Sequence, residues 1–431
     1  MDIKELYRLY TEHPAITTDS RDCPEGSIFF ALKGGNFDGN RFAAAALANG
    51  CSYAVVDDPA AATDSRCLLV GDALHTFQML AREHRRRFSI PVIGITGTNG
   101  KTTTKELTAA VLAEKYSVHC TQGNFNNDVG VPKTLFGLAP GHDIAVVEMG
   151  ASHPGDIRRL AETAEPTCGI ITNVGKAHLQ GFGSFEGVVR TKGELYDYLR
   201  QREGSRVFIN AADEHLKAIA AGLATVGYGL EGTPGLAVEG RVASCSPLLC
   251  LEWRAAGGRW HRVQTQLIGS YNALNMLAAA CIGLHFGVSE SQVCHALQAY
   301  KPSNNRSQLE RTGSNTLVVD AYNANPTSMA AAIDNFSRME GGPKMAIIGD
   351  MRELGDASAG EHQRVADALA AAGLDRVWLV GEEFARTSCP FRKFADVGEV
   401  KAEIARHRPE GYTILIKGSN GMRLYELPQL L

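Results

Sequence analysis

The sequence predicts an α/β protein of three domains. Apolar runs of strand length alternate with helical spacing along most of the chain. A strand, a glycine-rich turn and a helix follow one another at residues 90–115, in the form of a phosphate loop. Residues 224–268 break the alternation with short runs separated by Gly and Ser, the texture of a small antiparallel sheet. A length of 431 residues exceeds what one core usually serves, and the expected division is 1–88, 89–302 and 303–431.

Composition narrows the class. A net charge of −4 with a pI near 6.4 argues against a protein that coats nucleic acid, so no nucleic-acid partner is expected. Ten cysteines occur without CxxC pairs, and Cys245 and Cys250 have no His or Cys grouping that suggests zinc; reduced thiols of a cytoplasmic protein are expected. The opening MDIKELYRLYTEH carries acids and lacks an apolar signal core, and residues 274–288 form a short apolar stretch interrupted by His285, so no membrane partner is expected either.

In the first domain, strand-like runs at 27–32, 53–56 and 67–70 alternate with helical stretches at 42–48 and 74–88, giving a small α/β unit. Thr18-Asp19-Ser20-Arg21 and Lys33-Gly34, with Asp38-Gly39-Asn40 beyond them, read by themselves as polar turns. The second domain opens with the apolar run 90–95, then Thr96-Gly97-Thr98-Asn99-Gly100-Lys101-Thr102-Thr103, then helical spacing at Leu107, Val111 and Leu112. Small residues let backbone N–H groups approach phosphate oxygens, Lys101 reaches the β/γ-phosphates of a nucleotide, and Thr102 offers a hydroxyl to Mg²⁺. Ile95 stands where the general phosphate-loop pattern has Gly. Two later strands, at 144–147 and 169–172, run into Glu148-Met149-Gly150 and Asn173, then Lys176-Ala177-His178. In a doubly wound sheet the carboxyl ends of strands collect ligand groups, which is where Glu148 and His178 fall. Between them, residues 121–132 make an Asn-rich loop whose amides can bond a polar ligand.

A helix is expected over 271–285, opening Gly269-Ser270-Tyr271-Asn272; Asn275 lies too far inside it to act as a cap. Pro302-Ser303-Asn304-Asn305 reads as a linker. The third domain has strands at 316–319, 345–348, 377–380 and 413–416 with helices between them, a Rossmann-like pattern with no GxGxxG turn after its first strand.

Gly97-Thr98-Asn99-Gly100-Lys101-Thr102 resembles the Mur ligase and folylpolyglutamate synthetase superfamily, ATP-dependent enzymes that form amide bonds, and further motifs extend the resemblance from Ser20 to Arg423. It implies a UDP-binding first domain with Ser20, Arg21 and Lys33 near uracil and diphosphate, a central ATPase domain carrying the small antiparallel sheet, and a Rossmann-like ligase domain. Many relatives have His where Asn40 stands. The resemblance also implies that Glu148 and His178 bind Mg²⁺, and that Lys192, in Arg190-Thr191-Lys192-Gly193-Glu194-Leu195, is a carbamylated lysine; a protonated Lys192 paired with Glu194 or with a phosphate is the alternative. Asn272 and Asn275 are implied at adenine, Arg306 at the γ-phosphate, and Asp320 at the ribose or phosphates.

Asn124 and Asn127 in the Asn-rich loop, and Asn323 and Asn325 in Tyr322-Asn323-Ala324-Asn325-Pro326, resemble the branch that adds D-alanyl-D-alanine to UDP-N-acetylmuramoyl-tripeptide in peptidoglycan synthesis, and the resemblance implies that these four bind substrate. Gly349-Asp350-Met351-Arg352-Glu353-Leu354-Gly355, with Ser358 and His362, and Lys417-Gly418-Ser419 agree, while Asn420 replaces an Arg of many relatives. The implied enzyme is a monomer using ATP and Mg²⁺ to make an acyl phosphate that the dipeptide amine attacks. A folylpolyglutamate synthetase-like ligase is opposed by the UDP-type first domain. A nucleotide-dependent regulator without catalysis is opposed by Glu148, His178 and Lys192 together.

Overall fold

The computed structural model describes residues 2–35, 37–302 and 306–431. Three larger sheets organise them, and of the expected linker Ser303, Asn304 and Asn305 lie outside the described residues.

The first sheet has four parallel strands, Ile16–Thr17, Ile28–Phe30, Tyr53–Val56 and Cys67–Leu69. Strand Ile28–Phe30 is buried throughout because helices cover both faces, and its core continues into helices Ile3–Glu12 and Ala73–Arg85. Tyr10 and Phe77 of those helices meet Phe136 of the second domain at ring distances of 5.3 and 5.4 Å.

The second sheet is continuous over nine strands, in the order His261–Ile268, Leu248–Ala255, Val238–Cys245, Thr225–Leu230, Arg206–Asn210, Cys168–Ile171, Val92–Thr96, Ile144–Glu148, Val118–Cys120. The antiparallel strands expected as an appendage therefore extend the core sheet itself. Strand Thr225–Leu230 pairs in parallel on both sides, and antiparallel pairing begins beyond Val238–Cys245. Strand Val92–Thr96 lies between Ile144–Glu148 and Cys168–Ile171, where successive crossovers leave in opposite directions and open a crevice at the strands' carboxyl ends. Helix Asn272–His285, apolar on nearly all sides, is buried against helix Lys101–Ala113.

The third sheet runs Gln308–Arg311, Thr316–Asp320, Thr413–Lys417, Lys344–Gly349, Arg376–Val380, Arg392–Phe394, parallel except at its first pair. Its two edge strands are short and partly polar, and alternation did not mark them. Ile268 of the second sheet is buried in this domain's core. Among the described residues, no helix is long and apolar enough to cross a membrane.

Candidate active site

The crevice of the second sheet and the carboxyl ends of strands Thr316–Asp320 and Thr413–Lys417 face one cavity of about 820 Å³. The phosphate loop forms its floor. Gly97 has φ +142°, and a Cβ there would lie 2.1 Å from Thr172 Oγ1; Gly100 has φ +77°, with Asn275 Oδ1 2.5 Å from where a Cβ would stand. Only glycine satisfies both the backbone angle and the space at these positions. Neighbouring-strand residues buttress the loop: Asn99 N–H donates to Asn173 Oδ1 at 3.0 Å, and Thr172 Oγ1 donates to the Asn99 carbonyl at 2.6 Å.

Lys101 folds over this loop, its Nζ donating to the carbonyls of Gly97 at 2.8 Å and Thr98 at 3.0 Å. Burial pushes its pKa down to about 8, with Glu148 pulling upward and Arg306 downward. Glu148 is 1% exposed. Its Oε1 accepts from Thr102 Oγ1 at 3.2 Å and from Asn126 Nδ2 at 2.8 Å, while its buried Oε2 has no partner. A buried carboxylate oxygen without a donor is costly and fits a cation. No group of three or more His, Cys, Asp or Glu gathers at metal-ligand spacing among the described residues. A carboxylate and a hydroxyl suit Mg²⁺, which keeps several waters and takes phosphate oxygens.

Lys192 is 2% exposed on helix Phe185–Arg200, with its Nζ 5.3 Å from the Phe182 ring and 3.5 Å from the Ala151 carbonyl. Burial, reinforced by the charge of Lys101, holds its pKa well below the ordinary lysine value. The expected alternative partner, Glu194, is engaged elsewhere: its two oxygens accept the Gly155 and Arg158 N–H groups at 2.8 and 2.9 Å. His178 adopts φ +50° and faces the carboxylate of Glu353, itself at φ +63° in the loop after strand Lys344–Gly349 of the third domain. That loop is shaped from behind by Asp350, which accepts the N–H groups of Glu383 and Phe384, and by His362 Nε2, which accepts from Met351 N–H.

Asn272 and Asn275 are buried and line the cavity, joined by Asn275 Nδ2 donating to Asn272 Oδ1 at 2.8 Å. From the third domain come Arg306, Asp320, Tyr322, Asn323 and Lys417. Lys417, 1% exposed, donates to Asp320 Oδ2 at 2.5 Å and to the Asn323 carbonyl at 3.2 Å. Asn325 is buried with its amide fully engaged. Its Oδ1 caps helix Pro326–Arg338 by accepting from Ser328 N–H, and its Nδ2 donates to Asn99 Oδ1 of the phosphate loop at 2.7 Å.

Other expected site residues stand apart. Ser20, Arg21 and Lys33 do not line this cavity. Exposed Arg21 pairs with Asp19 at 2.7 Å, and Lys33 with Asp57 at 2.8 Å. Asn40 is buried in a structural knot, its Nδ2 donating to Asp38 and Asp57 and its Oδ1 accepting from Asp57 N–H. Of the Asn-rich loop, Asn127 lines the cavity while accepting from Gly130 N–H at 2.8 Å, and Asn124 is exposed outside it. Sequence reasoning passed over Asn126, the member that holds Glu148; three asparagines in one loop carry no signal that separates them. It also passed over the contact of Glu353 with His178, which no local pattern announces.

Comparison with known proteins covers almost the whole chain. Models described as the Mur ligase family catalytic domain, the Mur ligase middle domain and the Mur ligase glutamate ligase domain match residues 14–94, 95–283 and 305–420. The UDP-N-acetylmuramoyl-tripeptide--D-alanyl-D-alanine ligase of Bacillus subtilis (strain 168) is 33% identical, over 96% of this chain and 92% of its own length. A crystal structure of MurF from Acinetobacter baumannii superposes with a TM-score of 0.86 at 31% identity, covering 96% of this chain and 92% of that one. The MurF ligase of Thermotoga maritima in complex with ADP also gives 0.86, at 28% identity and 96% coverage of both chains. With the three-part α/β architecture and the phosphate loop in place, these matches show that the chain belongs to the Mur ligase family.

Proposed function

We propose that the chain is an ATP-dependent ligase that joins D-alanyl-D-alanine to the terminal carboxylate of UDP-N-acetylmuramoyl-tripeptide. The observation that carries it is Lys192, a buried amine that enters no ion pair among the described residues, within the field of Lys101 and beside the carbonyl of Ala151, which lines the same cavity as Glu148, whose Oε2 is unpartnered. A regulator that only binds nucleotide has no use for this arrangement.

The reaction follows from what these residues do. The phosphate loop and Lys101 hold the β/γ-phosphates, and Asn272 and Asn275 offer amides to the base. The substrate carboxylate attacks the γ-phosphorus in line, ADP leaves, and the acyl phosphate forms. The dipeptide amine then attacks the acyl carbon, phosphate leaves, and the amine's surplus proton is lost. Lys192, whose burial favours the neutral amine, adds through Nζ to CO₂ and releases a proton, becoming a carbamate. Thr102, Glu148, the carbamate and His178 would hold Mg²⁺, which when bound neutralises phosphate charge. Enclosure between domains keeps water from the acyl phosphate. Ser20, Arg21 and Lys33 supply UDP affinity from the first domain, and the protein acts in the cytoplasm as a monomer.

The test is a substrate panel in which ATP and D-alanyl-D-alanine are offered with UDP-tripeptides carrying diaminopimelate or lysine at the third residue. The expected result is phosphate release that depends on both substrates, with a product of UDP-pentapeptide mass. Phosphate release indifferent to both would overturn the reading.

A further inference from the structure

Arg306 is expected at the γ-phosphate, yet what fixes its guanidinium is not a carboxylate. Its carbon lies 3.9 Å from the centre of the Tyr322 ring, and both residues line the cavity. Its Nε is buried without a hydrogen-bond partner, and it enters no ion pair among the described residues. Asp320, two positions before Tyr322, is already engaged by Lys417 at 2.5 Å.

We propose that Tyr322 is a positioning residue whose ring face aims the Arg306 guanidinium into the nucleotide cavity while leaving its positive charge uncancelled. The inference rests on the nucleotide reading above and adds a residue to it. A carboxylate holding Arg306 would fix its direction but cancel most of its field. An aromatic face attracts the cation through its quadrupole, carries no net charge, and restricts a long side chain with many rotamers. The full charge then remains for an incoming polyanion. The charge matters most where the ligand gains its last negative group, so the contact should favour a triphosphate over a diphosphate.

The experiment measures the affinity of the full chain for ADP and for a non-hydrolysable ATP analogue, both with Mg²⁺, by titration. Arg306→Ala should reduce the preference for the triphosphate by about tenfold, and Tyr322→Leu by about fivefold, each with ADP affinity held within about twofold. Tyr322→Phe, which keeps the ring face, should stay within about twofold of wild type, and Tyr322→Leu should add nothing in an Arg306→Ala background. Additive losses in the double variant, or a loss with Tyr322→Phe as large as with Tyr322→Leu, would overturn the proposal. So would a fall in ADP affinity equal to the fall in analogue affinity, since damage to the fold acts on both. Because these titrations read binding alone, failure of the wild-type chain to ligate would overturn the proposed function without altering the outcome expected for Tyr322.

Discussion

Two lysines set the electrostatics of the cavity, and each yields a prediction. Lys192→Ala should be nearly inactive and should regain measurable turnover with acetate or propionate, because a small carboxylate can stand in for the carbamate; rescue by small amines alone would show that Lys192 works as a cation. Lys101 is a buried cation held only by carbonyls, and its pKa of about 8 lies below the ordinary 10.5. Between those values the unfolded chain binds the proton and the folded chain does not, so this residue makes stability rise as pH climbs from about 8 to 10.5 and costs stability below that window. Lys101→Met should therefore lower turnover by 10²-fold or more, roughly what comparable phosphate clamps contribute, while raising the melting temperature of the nucleotide-free protein at pH 7. A variant that melts lower at pH 7 would refute the burden assigned to this charge.

Helix Pro326–Arg338 joins its own cap to the phosphate loop through a single amide. Asn325 caps it through Oδ1 and grips Asn99 through Nδ2, so the two roles can be separated. Asn325→Ala should cost about 1 kcal/mol of stability through the lost cap. Asn325→Asp should keep the cap and the melting temperature yet raise the KM for ATP several-fold, because the donor to the phosphate loop becomes an anion beside it. Elements of this kind show which parts of the molecule could be read from its sequence. Strand Ile144–Glu148 and helix Ala73–Arg85 were evident because apolar spacing is a local property that a buried face enforces. The joining of Thr225–Leu230 to Val238–Cys245 in one nine-stranded sheet was not, since pairing depends on distant neighbours. At the site, Lys101, Glu148 and His178 stood out through their places after strands. Asn126 and Glu353 did not, because what distinguishes them is the partner the fold brings to them.

The three domains are held together by unlike contacts. The first meets the second through rings, Tyr10 and Phe77 against Phe136, and through Glu165, which accepts from Arg82 and Arg86. The third meets the cavity mouth through exchangeable polar groups, Asn325 with Asn99 and Glu353 with His178, while its apolar anchor, Ile268, belongs to the second sheet. Closure is therefore expected to move the third domain over the first two. Glu353→Ala should enlarge the radius of gyration measured by small-angle scattering without nucleotide, with little change in melting temperature. Phe136→Ala should lower stability by about 2–3 kcal/mol and leave that radius nearly unchanged. An unaltered radius in Glu353→Ala would show that the polar contact does not hold the domain. Strand Thr413–Lys417 pairs with Thr316–Asp320 on one side and Lys344–Gly349 on the other, although it comes later in the chain than any strand of its sheet. During synthesis the middle of this sheet stays open until its last strand emerges from the ribosome. Asp320 meets Lys417 only then, so a nascent chain lacking that strand has a complete phosphate loop but no Lys417 in the wall that faces it.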